Sequence, residues 1–264
     1  MYFSNKVVWV TGASSGIGKA LVLELSKQNA NVILSSRKVA SLELVKSECE
    51  NSENVKIIPL DLEDYTSLDT KAIEAIAAFG KIDILINNGG ISQRSLVKYA
   101  QIDVDKRIMD INYLGTVALT KALLPHFIAN KVGQIAVTTS IVGKIGTPLR
   151  SSYAASKHAL HGFFDSLRAE NFKNNIAVTL ICPGFINTNV SKNALTGNGS
   201  PQGKMDIATG NGMSAEKCAK LILKAIKTKK EEVYIAGAKE KLGVYVKRFF
   251  PKLFSILVRK MSVT

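Results

Sequence analysis

Tyr153 and Lys157 stand four residues apart in Ser151-Ser152-Tyr153-Ala154-Ala155-Ser156-Lys157. On a helix that spacing puts both side chains on one face, about one turn apart. An ammonium beside a phenol favours the phenolate. Such a pair can act as a general acid/base near neutral pH, which an isolated Tyr with a pKa of about 10 does poorly. A second group is Thr11-Gly12-Ala13-Ser14-Ser15-Gly16-Ile17-Gly18. Glycines allow a tight turn and let the backbone approach a pyrophosphate, and a helix starting beyond them offers free N–H groups to the anion. The spacing is Gly-x-x-x-Gly-x-Gly, not Gly-x-Gly-x-x-Gly. Taken singly, the first group also suits an exposed helix and the second a structural loop.

The elements that must position these groups follow in order. Val7-Val8-Trp9-Val10 is an apolar run suited to a buried parallel strand, and it leads into the glycines and a helical stretch, Lys19 to Gln28. Asn31 to Lys38 reads as a second strand and its exit. In dinucleotide folds an acidic residue near this point binds the ribose hydroxyls, whereas Arg accommodates a 2′-phosphate. Here Ser35 and Ser36 precede Arg37 and Lys38, with no Asp or Glu. A carboxylate repels a phosphate and a guanidinium grips it, so the pattern predicts NADP(H) over NAD(H). Helix is expected over 39–50, strand over 55–60 ending in Asp61-Leu62, helix over 65–79, and strand over 82–86 ending in Asn87-Asn88-Gly89-Gly90. A helical pattern over 102–129 holds Asn112 in its interior, where a surface position is as natural as a buried one. A fifth strand over 134–140 finishes on Ser140, and a long helix spans 152–173. A sixth strand over 177–182 ends in Pro183-Gly184, and a helix over 214–229 precedes an edge strand over 232–235. This alternation predicts an α/β, doubly wound parallel sheet, Rossmann-like, with helices on both faces of a single domain. Its ligand crevice lies at the C-terminal ends of the strands.

The chain has 264 residues, 46% hydrophobic and 21% charged, as in an ordinary globular enzyme. Cys49, Cys182 and Cys218 are widely spaced and match no metal-ligand pattern, so free thiols in a reducing compartment and no metal are expected. No charged leader with a cleavage site and no run of ~20 apolar residues is present, which predicts a cytoplasmic protein. A net charge of +14 favours anionic partners such as nucleotides, phosphate-bearing substrates or acidic lipid, and no nucleic-acid motif accompanies it. The segment 239–264 differs from the 1–238 body: Phe249, Phe250, Leu253, Phe254, Ile256, Leu257 and Val258 interleave with Lys247, Arg248, Lys252, Arg259 and Lys260. It suits a C-terminal helix packed near a substrate mouth or subunit interface, or a peripheral contact with an anionic membrane. Pro251 argues against one unbroken helix. His126, His158 and His161 match no triad or metal motif and read as structural.

In their order and spacing these motifs resemble the short-chain dehydrogenase/reductase family, in its compact single-domain branch, over roughly residues 5–235. The resemblance rests on the glycine turn, Asp61-Leu62, Asn87-Asn88-Gly89-Gly90, Asn112, Ser140, Tyr153-x-x-x-Lys157 and Pro183-Gly184-Phe185-Ile186-Asn187-Thr188. It implies an oxidoreductase that interconverts a carbonyl and an alcohol, and a homodimer or homotetramer packed through helices 102–129 and 152–173. Tyr153 would be the acid/base, Lys157 would lower its pKa and bind the nicotinamide ribose, Ser140 would hold the substrate oxygen, and Asn112 would support a water in the proton relay. Gly12, Ser14, Ser15, Gly16, Ile17 and Gly18 would line the pyrophosphate turn. Arg37 and Lys38 would take the phosphate, Asp61 and Leu62 the adenine, and Asn88 and Gly89 its ribose. Pro183, Gly184, Ile186 and Thr188 would border the nicotinamide end. Gly90 replaces the family's usual Ala, a loss that should be tolerated, and Ser15 replaces a basic residue common in NADPH-preferring members. The polar stretch 189–213, rich in Asn, Gly, Ser and Thr, corresponds to the family's substrate lid. Asn187 to Ala194 also resembles the dehydrogenase/reductase member-seven subgroup, near the hydroxysteroid dehydrogenases, without fixing the substrate; a lipid-like substrate is an expectation of the basic tail, as a group drawn from a membrane surface. A nucleotide-sensing regulator on the same fold is the competing reading.

Overall fold

The structure is a computed structural model that describes residues 1–259. Val7–Thr11 (β1) leads through the glycine turn into Gly16–Ser26 (α1), followed by Asn31–Ser35 (β2), Val39–Ser47 (α2) and Val55–Ile57 (β3). Leu68–Phe79 (α3) and Ile84–Asn87 (β4) come next, then Ile102–Met109 (α4), Gly115–Asn130 (α5) and Gly133–Thr138 (β5). Ser151–Glu170 (α6) precedes Ile176–Pro183 (β6). The polar loop is bracketed by Ile186–Asn187 (β7) and Met213–Ser214 (β8), which pair with each other, and contains the short helix Ile207–Gly210 (α7). Ala215–Lys227 (α8), Glu232–Ile235 (β9), Ala238–Phe249 (α9) and Pro251–Val258 (α10) close the described chain.

The sheet order is β3-β2-β1-β4-β5-β6-β9, and every pairing is parallel. A strand covered on both faces alternates its buried residues between them. Val8 and Val10 join a core with Leu21 and Leu25 of α1 and Ile222 and Ile226 of α8. Val7 and Trp9 join the opposite core with Leu119 and Phe127 of α5 and Phe164 of α6. The strand order reverses between β1 and β4, so their C-terminal ends splay apart and open the crevice expected of this topology.

One helix differs from the sequence reading. The pattern over 102–129 is not one helix: α4 and α5 are joined by a π-helical turn at Asp110–Leu114, with Asn112 fully buried inside it. The tail agrees with the reading of Pro251: it is two helices broken at Phe250, with Pro251 at the first position of α10, where its missing N–H is harmless. Phe254 of α10 is buried against Ile141, Ile145 and Cys182. Lys260 lies outside the described residues. Among the described residues no helix is long and apolar enough to cross a membrane.

Candidate active site

The reversal from β1 into α1 depends on glycine. Gly12 has φ +64°, and a Cβ there would stand 2.8 Å from the Cα of Gly89. A Cβ on Gly18 would run into the carbonyl of Gly12, so α1 packs directly on the turn. The strand end after β4 braces the same turn. Thr11 Oγ1 accepts the N–H groups of Asn88 and Gly89, both at 3.0 Å, and Asn88 Nδ2 donates to Thr11 O at 3.2 Å. Ser15, the N-cap of α1, makes no side-chain capping bond. Nothing from that side chain covers the first N–H groups of the helix, which suits an anionic ligand.

At the end of β2 the two serines part ways. Ser35 is turned into the core, accepting from Trp9 Nε1 at 2.8 Å and donating to Ile58 O at 2.6 Å. Ser36 lines the crevice with Arg37 and Lys38, and among the described residues its buried hydroxyl has no hydrogen-bond partner. An orphaned buried hydroxyl beside two cations is the kind of vacancy in a polar network that a ligand group satisfies. Together with the glycine cradle, it fits a dinucleotide.

One cavity of about 1100 Å³ runs from this end to the tail helices. Of the residues that the sequence assigns to cofactor and chemistry, it is lined by all except Gly18 and Asn112. Gly18 sits behind the turn, and Asn112 sits behind Gly90 and Ile91. Asn112 accepts the Ile91 N–H at 2.8 Å and donates to Ile91 O at 2.9 Å and to Ser156 Oγ at 3.0 Å. The π turn aims this amide inward, and such turns recur at functional sites. A methyl on Gly90 would stand 2.9 Å from Asn112 Oδ1 and 3.5 Å from Lys157 Nζ, so this position has less room than its substitution for Ala suggests.

Ser140 follows β5, with its Oγ accepting the Val142 N–H at 3.2 Å and hydrogen-bonded to the Tyr153 hydroxyl. The start of α6 lacks a capping side chain of its own; Gln93 Oε1 accepts the Ser152 N–H at 2.9 Å instead. One turn on, Lys157 Nζ donates to Thr138 O at 2.8 Å and lies 5.9 Å from the Tyr153 ring centroid. Desolvation pushes the Tyr153 phenol up, while the bond to Ser140 and the charges of Arg150 and Arg94 draw it down. Burial brings the Lys157 ammonium down to about 8.

Arg94, Arg150 and Asp206 were not singled out in the sequence. All three are buried, and Asp206, from the polar loop, accepts from Arg94 Nε at 2.8 Å with Arg150 Nη2 at 3.5 Å. Burial lowers Arg150 to about 10. One sequence signal was available. An Arg immediately before a helix opposes the positive end of the helix dipole and needs a local reason. The loop carrying Asp206 lines the cavity through Asn189, Val190, Asn193 and Thr209. The histidines make structural contacts: His126 Nε2 accepts from Ile82 N at 3.2 Å, His158 Nδ1 pairs with Ala154 O at 2.8 Å, and His161 Nδ1 lies 3.5 Å from Glu232.

A family model described as short chain dehydrogenase matches residues 6–199. The dehydrogenase/reductase SDR family protein 7-like of Anopheles gambiae is 44% identical over 99% of this chain and 84% of its own length. The SDR family member 7B of Rattus norvegicus is 43% identical over 96% of this chain and 80% of its own. Among solved structures, a short chain dehydrogenase/reductase from Burkholderia phymatum, crystallised with NAD, superposes with a TM-score of 0.85 at 20% identity, covering 96% of each chain. A levodione reductase superposes at 0.81 with 22% identity, over 90% of this chain and 99% of its own. At those identities the structures bear on the fold alone.

Proposed function

The chain belongs to the short chain dehydrogenase family, and on that premise we propose that it is an NADP(H)-dependent oxidoreductase interconverting a carbonyl and an alcohol, with Tyr153 as acid/base. The carrying observation is the Tyr153–Ser140 hydroxyl pair, with buried Lys157 one turn away, in the same cavity as the glycine cradle. A bound nicotinamide would supply or accept the hydride. The protein's part is to hold and move a proton. Ser140 and Tyr153 direct two hydroxyls at one substrate oxygen, where they stabilise the charge that develops on it. In reduction Tyr153 donates its proton to that oxygen, and in oxidation it takes the proton back. Lys157, with its pKa near 8, can carry a proton to the phenolate near neutral pH. Asn112 holds the Gly90-Ile91 backbone beside Lys157 and completes the set as the relay's support.

Ser36, Arg37 and Lys38 at the far end, with no carboxylate at the end of β2, support NADPH over NADH. The Burkholderia relative binds NAD, so the preference needs its own measurement: equal or reversed dissociation constants would sink it. The exposed Ile102, Leu114 and Ile128 on and between α4 and α5 suit a homodimer or homotetramer interface. Three buried free cysteines suit the reducing cytoplasm. No observation favours the nucleotide-sensing regulator, and the presence of Asn112, Ser140, Tyr153 and Lys157 together supports the enzyme reading.

The test is NADPH oxidation against a panel of aldehydes, ketones and steroids, with Tyr153→Phe alongside. Turnover that collapses in the variant is expected. Turnover that survives it would remove Tyr153 from the acid/base role.

A further inference from the structure

The tail helices have two apolar faces each, and only one is buried. In α10, Phe254 is buried and Val258, one turn on, is half-buried, while Leu253, Ile256 and Leu257 point outward at i, i+3 and i+4. In α9, Val246 packs inward, and Leu242, Tyr245 and Phe249 recur at i, i+3 and i+7 on an exposed stripe. Phe249 is 68% exposed, Phe250 63% and Ile256 55%. Single exposed apolar side chains need no explanation, but a contiguous cluster of this kind marks a contact surface.

Charge narrows the partner. Lys239, Lys241, Lys247, Arg248, Lys252 and Arg259 share the segment with the stripe, Lys247 lying over the buried Phe254 ring at 5.8 Å, and Glu240 is the one acid in 238–259. Its carboxylate is turned back to the protein, accepting the N–H groups of Phe185 and Gly237. A separate cleft of about 240 Å³ beside α9 gathers Lys224, Lys230 and Lys241. A second copy of this chain would meet the face with its own cations. An anionic phospholipid surface matches both halves: acyl chains for the aromatic and aliphatic stripe, head groups for the lysines and arginines, whose stems can run along apolar surface.

The placement connects to the cavity. Leu242 and Leu257 are both exposed and line the large cavity, so they stand at its mouth, with Val246 and Phe254 deeper in its wall. We propose that α9 and α10 dock the protein on an anionic phospholipid surface over the mouth of the cavity, which then draws an amphiphilic ketone or alcohol from the lipid. The substrate half rests on the oxidoreductase reading. The docking half does not.

The test is sedimentation of the full chain with phosphatidylcholine vesicles, with and without about 30% phosphatidylserine. Wild type is expected to pellet with the anionic vesicles and to be released by high salt. Tyr245→Ser, Phe249→Ser, Leu253→Ser and Ile256→Ser combined, all outside the cavity lining, should weaken pelleting by roughly tenfold or more while NADPH affinity is retained. A second variant, Lys247→Glu with Arg248→Glu and Lys252→Glu, guards against misfolding of the first and should lose pelleting as well. Wild type that stays in the supernatant with both vesicles, or variants that pellet like wild type, would overturn the docking. So would a wild-type dimer that the serine variant dissolves while neither protein pellets, because the face would then belong to a second copy. For delivery, a long-chain ketone held in vesicles should be reduced by wild type and poorly by the variants, with a short soluble ketone reduced equally by all. Equal rates on the vesicle-held ketone overturn the delivery half. Pelleting without turnover of either ketone supports docking and counts against the oxidoreductase reading instead.

Discussion

Asp206→Asn isolates the joint between the polar loop and the body. Asp206 Oδ2 accepts from Arg94 Nε at 2.8 Å and Nη2 at 2.5 Å, with Arg150 Nη2 at 3.5 Å. The side chains of the three residues are 5% exposed or less. The substitution keeps the shape and one acceptor oxygen but removes the charge that separates two buried guanidinium groups. Breaking a buried ion pair costs about 3–5 kcal/mol, and the retained acceptor places this case near 3. A chain of this length has an unfolding entropy near 0.55 kcal/mol/K, so Tm should fall by about 5 °C. Calorimetry reads the fall, and limited proteolysis within 189–213 should accelerate in the variant. Burial alone would raise the Asp206 carboxyl, but the bonds from Arg94 and Gln202 outweigh it and hold it below the usual range. A carboxyl depressed in the folded state stabilises above its unfolded pKa, about 3.9, and loses that contribution as pH falls through the folded value. The gap in stability between wild type and variant should therefore be full at pH 7 and shrink below about pH 4. An unchanged Tm with unchanged cleavage would refute the joint. A gap independent of pH would refute the charge as its cause.

Three further outcomes follow from the site. Lys157→Met should abolish turnover yet raise the Tm of the cofactor-free protein by a few degrees. Holding this buried ammonium, lowered to about 8, costs roughly 3 kcal/mol at pH 7 against about 1 for the lost bond to Thr138 O. The sign follows from linkage: a lysine depressed in the folded state carries its full penalty below about pH 8 and is relieved as pH rises towards 10.5. A lower Tm in the variant would contradict it. Arg37→Glu should weaken NADPH by about 10–100-fold while sparing NADH, as the loss of a charge-assisted phosphate contact requires; calorimetric titration of both nucleotides checks this, and parallel losses would remove Arg37 from the phosphate. Gly18→Ala places a methyl against Gly12 O, so nucleotide affinity should fall roughly tenfold or more with far-UV circular dichroism unchanged, and full affinity would show that the turn can yield.

The alternation of strands and helices was legible because each element carries its own period and its own punctuation. Val7-Val8-Trp9-Val10, the glycines and Tyr153-x-x-x-Lys157 are local patterns, and their order along the chain implies the doubly wound sheet. The crevice at the ends of β1 and β4 follows from that order alone. The break in the 102–129 pattern was not legible. Its cause is Asn112 bonding to Ile91 and Ser156, partners 21 and 44 residues away, and helical periodicity carries no trace of them. Ser35 and Ser36 are chemically identical neighbours, yet Trp9 takes one into the core and leaves the other to the cavity. The basic composition of the tail was plain, but which of its apolar residues are spent on the core depends on how α10 meets Ile141 and Cys182. Arg94, Arg150 and Asp206 make the same point most sharply. Arg150 and Arg94 lie 56 and 112 residues from Asp206 along the chain, and only the fold joins them around one buried carboxylate and brings the charge of both arginines to bear on the Tyr153 phenol. Local chemistry thus sits in the sequence as residue type and spacing, whereas burial and charge proximity, which set how that chemistry behaves, are properties of the packed chain.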